Sequence, residues 1–354
     1  MKKQPIAIVG AGLVGSLLAA ILAKEGYQVT IYERRADMRE ADIGGGRSIN
    51  LALSDRGWKG LEIGGVAEEV RKMGIPMYGR MIHSEDGNQV FQPYGKENQA
   101  IYSVSRAGLN EVLMTHAESQ GVKIVFEKRT TNVDLNKNVI EFDDGTAANY
   151  QMIFGADGAF SMVRLSMQMT DRFDYQQFYL KHAYKELSIP AGDTEKWQIE
   201  KNALHIWPRH SFMLIALPNL DGSFTCTLFA PFEGPNSFDL IKNEGDLKQY
   251  FKEHFADALD LMPTLAEDFF TNPTSSLITT MIEPWHYKDK SALIGDAAHA
   301  IVPFYGQGMN SGFEDCTVLD EMMQQYGEDW ETLLQEFEKQ RKPDADAIAD
   351  LAMR

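Results

Sequence analysis

Little in this chain marks a secreted, metal-binding or nucleic-acid-binding protein. Two cysteines, Cys226 and Cys316, occur in 354 residues with no CxxC pair. That excludes a disulfide framework, points to a reducing compartment and a cytoplasmic protein, and leaves the thiols as small buried hydrophobes. The eight histidines are scattered without HExxH or paired-ligand spacing, so no structural or catalytic metal is expected. Positive charge is scarce: 34 Lys and Arg face 51 Asp and Glu, a net charge of −17 that disfavours nucleic acid as a partner. There is no GxSxG elbow and no Walker loop. Beyond the stretch from Ile6 to Ala23, no uncharged run is long enough to cross a bilayer, so no membrane association is expected of this chain. Nothing in the composition speaks to oligomeric state. The 44% hydrophobic content and the length suit an α/β domain with a second lobe.

The run from Ile6 to Ala23 breaks into parts. Ile6 to Val9 read as a buried parallel strand, Gly10, Gly12 and Gly15 follow at GxGxxG spacing, and Leu17 to Lys24 continue as a helix stopped by Gly26. Gln28 to Tyr32 form a second strand and close a βαβ unit. Glu33 falls 23 residues after Gly10, where a carboxylate accepts from ribose hydroxyls while the helix N-terminus faces a pyrophosphate. Strand, helix, strand and acid in register predict dinucleotide binding. The acid does not separate flavin from nicotinamide, and Arg34 and Arg35 read either as partners of a 2′-phosphate or as solvated surface.

Farther on, the glycine-rich loop Gly44 to Leu51 leads into a helix near Asp55 to Ile63. Met81 to Ser84 and Gln89 to Gln92 read as a hairpin about the Glu85-Asp86-Gly87-Asn88 turn, and Ser105 caps a helix followed by a strand at Lys123 to Phe126. Val139 to Phe142 and Tyr150 to Phe154 read as a second hairpin about Asp143-Asp144-Gly145. From about residue 176, Ala203 to Trp207, Ser211 to Ala216 and Ser223 to Phe229 alternate as antiparallel strands covering one face of a cavity. The stretch after Gly234-Pro235 reads as mostly helical, and Ser291 to Ile294 return as a buried strand.

Two further segments each follow a strand and open a helix: Gly155-Ala156-Asp157-Gly158, continuing to Arg164, and Gly295-Asp296-Ala297-Ala298-His299. Small residues let the backbone approach a ligand, and Asp296 at a strand end can hold ribityl hydroxyls. Three such sites in this order favour flavin adenine dinucleotide (FAD), which is long enough to need both ends of the chain.

With GxGxxG, the Asp157-Gly158 segment and the Gly295-Asp296 segment in place, the chain resembles the single-component class A flavin-dependent aromatic hydroxylases. Gly46 to Ser54, Tyr102 to Arg106, Leu204 to Arg209, Phe224 to Phe229, Gly295 to Phe304, Gly306 to Asn310 and Gly312 to Cys316 narrow this to the kynurenine 3-monooxygenase family, over essentially the whole chain. The resemblance implies an α/β fold: a Rossmann-like FAD-binding domain (1–72, 99–175 and 283–325) interleaved with a β-sheet substrate domain (73–98 and 176–282), and C-terminal helices from 326. It also implies an enzyme that takes hydride from NADPH, forms a C4a-hydroperoxyflavin with dioxygen and converts L-kynurenine to 3-hydroxykynurenine.

The flavin contacts it implies are Val14 in the glycine loop, Glu33 with Arg34 and Arg35, Ala52, Arg106, Asp157, Asp296, and the Gly308, Met309 and Asn310 backbone at a helix start. Arg80 and Tyr94 match the family's carboxylate-binding pair, a guanidinium fork beside a phenol. Leu204, Met213, Ile215, Thr227 and Phe229 share strand parity, and with Pro303, Phe304 and Gln307 they would wall a dry slot for the aromatic ring; singly, each also reads as ordinary core. No side chain is named as acid or base. Family members continue past the position of Arg354 with pocket-completing helices, so the C-terminal helices are expected to be truncated here. A flavin-dependent dehydrogenase or reductase would share the three fingerprints without needing Arg80, Tyr94 or dioxygen; another aromatic-ring hydroxylase is the other alternative.

Overall fold

The computed structural model describes residues 3–40, 50–95 and 98–353. The Gly44–Ile49 part of the glycine-rich loop, which opens the Gly46 to Ser54 block, lies outside the described residues.

A six-stranded sheet builds the first lobe, in the order His286–Tyr287, Ser291–Leu293, Met152–Gly155, Pro5–Val9, Gln28–Tyr32, Lys123–Val125. All its pairings are parallel except the outer one between the first two strands named. Its central strands are uniformly apolar because both faces are covered: Ile6, Ala7, Ile8, Met152, Ile153 and Phe154 are buried. The helix Leu13–Lys24 is buried from Gly15 to Leu22, packing between this sheet and the helices Asp55–Gly64, Arg106–Ser119 and Gly308–Tyr326.

A seven-stranded sheet builds the second lobe, ordered Ser275–Glu283, Asp174–Ile189, Phe224–Pro231, Phe212–Pro218, Ala203–Arg209, Gly79–His83, Gln89–Pro93. Alternation gives it two different faces. Trp207, Leu214, Phe224 and Leu228 point into a core with Phe251, Phe255 and Phe269 of the helical 244–271 stretch, where truncating one phenylalanine costs ~3–5 kcal/mol. Residues of opposite parity, among them Leu204, Met213, Ile215 and Phe229, face the first lobe.

Two readings of the sequence need correction. Val139–Phe142 pairs with Ala147–Asn149 and not with residues 150–154. The uniformly buried Met152–Gly155 instead joins the parallel sheet beside Pro5–Val9, as an unbroken apolar run should. The stretch after Gly234 is helical only to Thr271, and Ser275–Glu283 is a strand paired with Asp174–Ile189. Its β-branched, alternating Ser-Ser-Leu-Ile-Thr-Thr-Met-Ile carries the strand signal that the preceding helices obscure.

Candidate active site

A cavity of about 910 Å³ runs between the two lobes. At one end the loop after Pro5–Val9 brings Gly10, Gly12 and Val14 to the wall. Gly15 lies beneath them, where a Cβ would stand 2.1 Å from Gly10 O, so only glycine allows the helix to start this close to the strand. Glu33 is fixed by two amides: Ala11 N–H donates to Oε2 and Arg35 N–H to Oε1, each at 3.0 Å. Arg34 and Arg35 are exposed at the rim. Together with Arg80, Arg106 and Arg129, also on the wall, they give a net-negative protein a locally basic cavity suited to anionic ligands.

Asp157 follows Met152–Gly155. Its Oδ2 accepts from the Met162 amide at 2.6 Å, while Oδ1 is buried without a partner among the described residues, and burial pushes the carboxyl up. Asp296 projects into the cavity from the end of Ser291–Leu293. Gly308 and Met309 line the wall at the start of the helix Gly308–Tyr326, whose first backbone bond is Ser311 N to Gln307 O, 2.8 Å. The preceding amides therefore have no acceptor within the helix.

Asn310 does not reach the cavity with its side chain. That side chain donates to Ala52 O (2.8 Å) and Gly306 O (3.0 Å) and accepts from Ser54 N (2.9 Å), clamping the wall residue Ala52 to the helix start. Arg106 sits in the first turn of a helix whose Ser105 cap accepts from Gly108 N.

At the other end, the hairpin of Gly79–His83 and Gln89–Pro93 presents Arg80 and Tyr94, with the Arg80 guanidinium 5.4 Å from the centre of the Tyr94 ring. The Tyr94 hydroxyl is buried beside Arg80; burial raises its pKa, and hydrogen bonding to Arg80 and its positive charge oppose the rise. Register sets Met213 opposite Phe229 and Ile215 opposite Thr227, and Leu204 beside Arg80. Phe304 closes on Phe229 edge-on, 5.4 Å between ring centres, with Pro303 and Gln307 beside it on the wall.

With this geometry in hand, the comparisons with known proteins are informative. The FAD binding domain family matches residues 3–352. A kynurenine 3-monooxygenase of Flavobacterium psychrophilum is 54% identical over 359 residues, covering 100% of this chain and 80% of the relative. That of Flavobacterium johnsoniae is 51% identical over 354 residues, covering 99% and 79%. The chain belongs to the kynurenine 3-monooxygenase family. It is accordingly a FAD-dependent flavoprotein monooxygenase, as the three glycine and aspartate segments led us to expect. In fold it is similar to 2-methyl-3-hydroxypyridine-5-carboxylic acid oxygenase, with a TM-score of 0.81 at 21% identity over 99% of this chain and 90% of that one.

The residues fit the family's cofactor. The cavity has the size of an extended ligand site, the unpartnered Asp157 oxygen and the amide-fixed Glu33 carboxylate offer acceptors, and two helix N-termini, at Leu13 and Gly308, supply donors.

Several residues of the cavity wall and its supports carry no mark in the sequence. Tyr184, Ser276, Leu277 and Ile278 line the cavity from strands that the sequence reading did not resolve. Arg164, buried, donates to Ala297 O (2.9 Å) and Ala159 O (2.5 Å), joining the Asp157 and Asp296 segments. An arginine inside Met-Val-Arg-Leu-Ser-Met was the available signal. No helix among the described residues is long and apolar enough to cross a membrane.

Proposed function

We propose that this chain hydroxylates L-kynurenine to 3-hydroxykynurenine, with NADPH as reductant and dioxygen as the oxygen source. The observation that carries the reading is the Arg80–Tyr94 pair. A cation fork and a buried hydroxyl beside it stand in the same cavity as the Asp157 and Asp296 segments, as the carboxylate of an amino acid substrate requires.

The amides ahead of the helix Leu13–Lys24 would hold the FAD pyrophosphate, Glu33 the adenosine ribose, Asp296 the ribityl hydroxyls, and Gly308 and Met309 the ring edge. When bound, the flavin accepts hydride from NADPH and activates dioxygen. The protein's part is positional. Arg80 and Tyr94 fix the carboxylate, and through it the orientation of the ring. Leu204, Met213, Ile215, Thr227, Phe229 and Phe304 enclose the aromatic ring in an apolar slot and keep water from the reacting oxygen. The free amides at Gly308 and Met309 would favour negative charge on a flavin held at the helix start. Arg34 and Arg35, next to Glu33 on the wall, would flank the adenosine ribose. An amino-substituted ring is electron-rich, so no protein acid or base is required.

Kynurenine is expected to accelerate NADPH oxidation by the flavin-loaded enzyme and to yield a product one oxygen atom heavier that co-elutes with 3-hydroxykynurenine. Recovery of unmodified kynurenine alone overturns the reading.

A further inference from the structure

One buried carboxylate behind the cavity takes no part in the contacts described so far. Asp315, in the helix Gly308–Tyr326, is 0% exposed. Its Oδ2 accepts from Gly295 N (2.8 Å) and from His299 Nε2 (2.6 Å), and its Oδ1 accepts from Arg341 Nε (2.9 Å). Arg341 comes from the helix Trp330–Met353, is 1% exposed, and donates from Nη2 to the carbonyl and hydroxyl of Ser311, both at 3.2 Å; its Nη1 faces Glu314 at 3.2 Å. The His299 ring is stacked on Trp285, 4.9 Å between centres. Burial alone would raise the Asp315 carboxyl; His299, Arg341 and the Gly295 amide outweigh it and hold it below the usual carboxylate range.

The targets of these bonds are the two backbone segments that present Asp296 and the Gly308–Met309 amides to the cavity. Gly295 takes φ +57 and ψ −143, a turn with little rotational support of its own, and its amide is fixed by Asp315. Ser311, one turn into the helix, is fixed by Arg341. A single ion pair therefore locks the strand-to-helix turn, the helix start and the C-terminal helix to one another.

We propose that Asp315, Arg341 and His299 are positioning residues that set Asp296 and the Gly308–Met309 amides against the flavin ring, and so control flavin affinity and redox potential without touching the cofactor. The inference rests on the reading that Asp296 and these amides face the flavin.

A hydrogen bond to a charged group is worth ~1.5–3 kcal/mol, roughly tenfold to a hundredfold in a dissociation constant. Asp315→Asn leaves the carboxamide too few acceptors for three donors, and His299→Leu removes one donor at similar volume. Both are expected to raise the FAD dissociation constant at least about tenfold and to shift the midpoint potential of the flavin that remains bound. His299→Gln, which keeps a donor toward Asp315, is expected to restore FAD affinity to within about threefold of wild type.

ADP binding to the flavin-free protein is the control, because ADP reports the adenosine end at Glu33, whose carboxylate is held by the Ala11 and Arg35 amides and by no bond of the network. It should stay unchanged in all three variants, whereas a merely damaged fold weakens FAD and ADP alike and overturns the proposal. Asp296→Ala separates the two levels of inference. If it weakens FAD while Asp315→Asn and His299→Leu do not, the positioning role fails and the flavin reading stands. If Asp296→Ala itself leaves FAD affinity unchanged, the placement of the flavin fails. Arg341→Lys, which keeps the charge but loses the fork, should fall between wild type and Asp315→Asn; an Arg341→Lys protein with unaltered affinity and potential also counts against the network.

Discussion

Removing the Arg80 guanidinium tests the substrate reading at the point where the structure is most specific. In the free cavity Arg80 is exposed, whereas the Tyr94 hydroxyl beside it is buried. Binding a carboxylate there replaces water on the guanidinium and gives the phenol an anionic acceptor. A charge-assisted hydrogen bond contributes ~1.5–3 kcal/mol, and the exposure of Arg80 places each bond of the fork at the low end. The pair of bonds is then worth about 3 kcal/mol, roughly a hundredfold in KM at about 1.4 kcal/mol per tenfold. Arg80→Ala should raise KM for kynurenine by that factor with FAD still bound. Arg80→Lys, keeping the charge and losing the fork, should raise it about tenfold. The assay is steady-state NADPH oxidation with product quantified in parallel. Kynuramine, the analogue without the carboxylate, supplies the internal control: its turnover, weak in wild type, should be indifferent to the substitution. A KM for kynurenine within about threefold of wild type in Arg80→Ala, or an equal loss for both compounds, removes Arg80 from the site.

Three other substitutions probe different parts of the structure. Gly15→Ala puts a methyl group 2.1 Å from the Gly10 carbonyl, so the strand-to-helix turn must move; the purified variant should carry little flavin and melt earlier, and a fully yellow protein of unchanged Tm would contradict the close approach. Phe304→Ala opens the slot at the ring that meets Phe229 edge-on at 5.4 Å, and should increase hydrogen peroxide formed per NADPH consumed while FAD affinity holds; tight coupling in the variant would show that Phe304 does not exclude water.

The third concerns acid stability. Burial is the main cause that pushes the His205 imidazole down to about 4, its nitrogens facing His83 at 2.9 Å and Glu200 O at 2.8 Å. The folded protein thus binds fewer protons than the unfolded chain between about pH 4 and the ordinary imidazole value of ~6.5. The contribution is complete above about pH 6.5 and is lost as pH falls toward about 4, amounting to roughly 3 kcal/mol. His205→Gln should flatten that limb of the denaturant midpoint against pH; parallel curves for the two proteins would refute the assignment.

Much of the fold could be read from the sequence where local chemistry and global role agree. Pro5–Val9, Leu13–Lys24 and Gln28–Tyr32 announce themselves because a parallel strand buried on both faces is uniformly apolar and a glycine turn must follow it. The three strands from Ala203 to Pro231 were legible because one face meets a core and the other a cavity, which gives a clean period of two. Asp174–Ile189 was not, since its first half is a largely exposed ribbon carrying Asp, Gln and Lys, and no burial pattern marks it there. Tyr184, which reaches the cavity from that strand, was lost with it.

The candidate contacts that were read came from motifs with fixed spacing and from the family resemblance. The supports behind them came from neither. Asp315 and Arg341 are 26 residues apart on different helices, and Arg164 meets Ala297 across 133 residues. Such pairs are set by how helices pack, so no local period or spacing records them.

The central claim is that this chain places an oxygen atom from dioxygen on the kynurenine ring. Turnover of kynurenine with NADPH under isotopically labelled dioxygen in ordinary water tests it most directly. The isolated 3-hydroxykynurenine is expected to carry the label. Unlabelled product, or labelled hydrogen peroxide with the kynurenine returned intact, would contradict it.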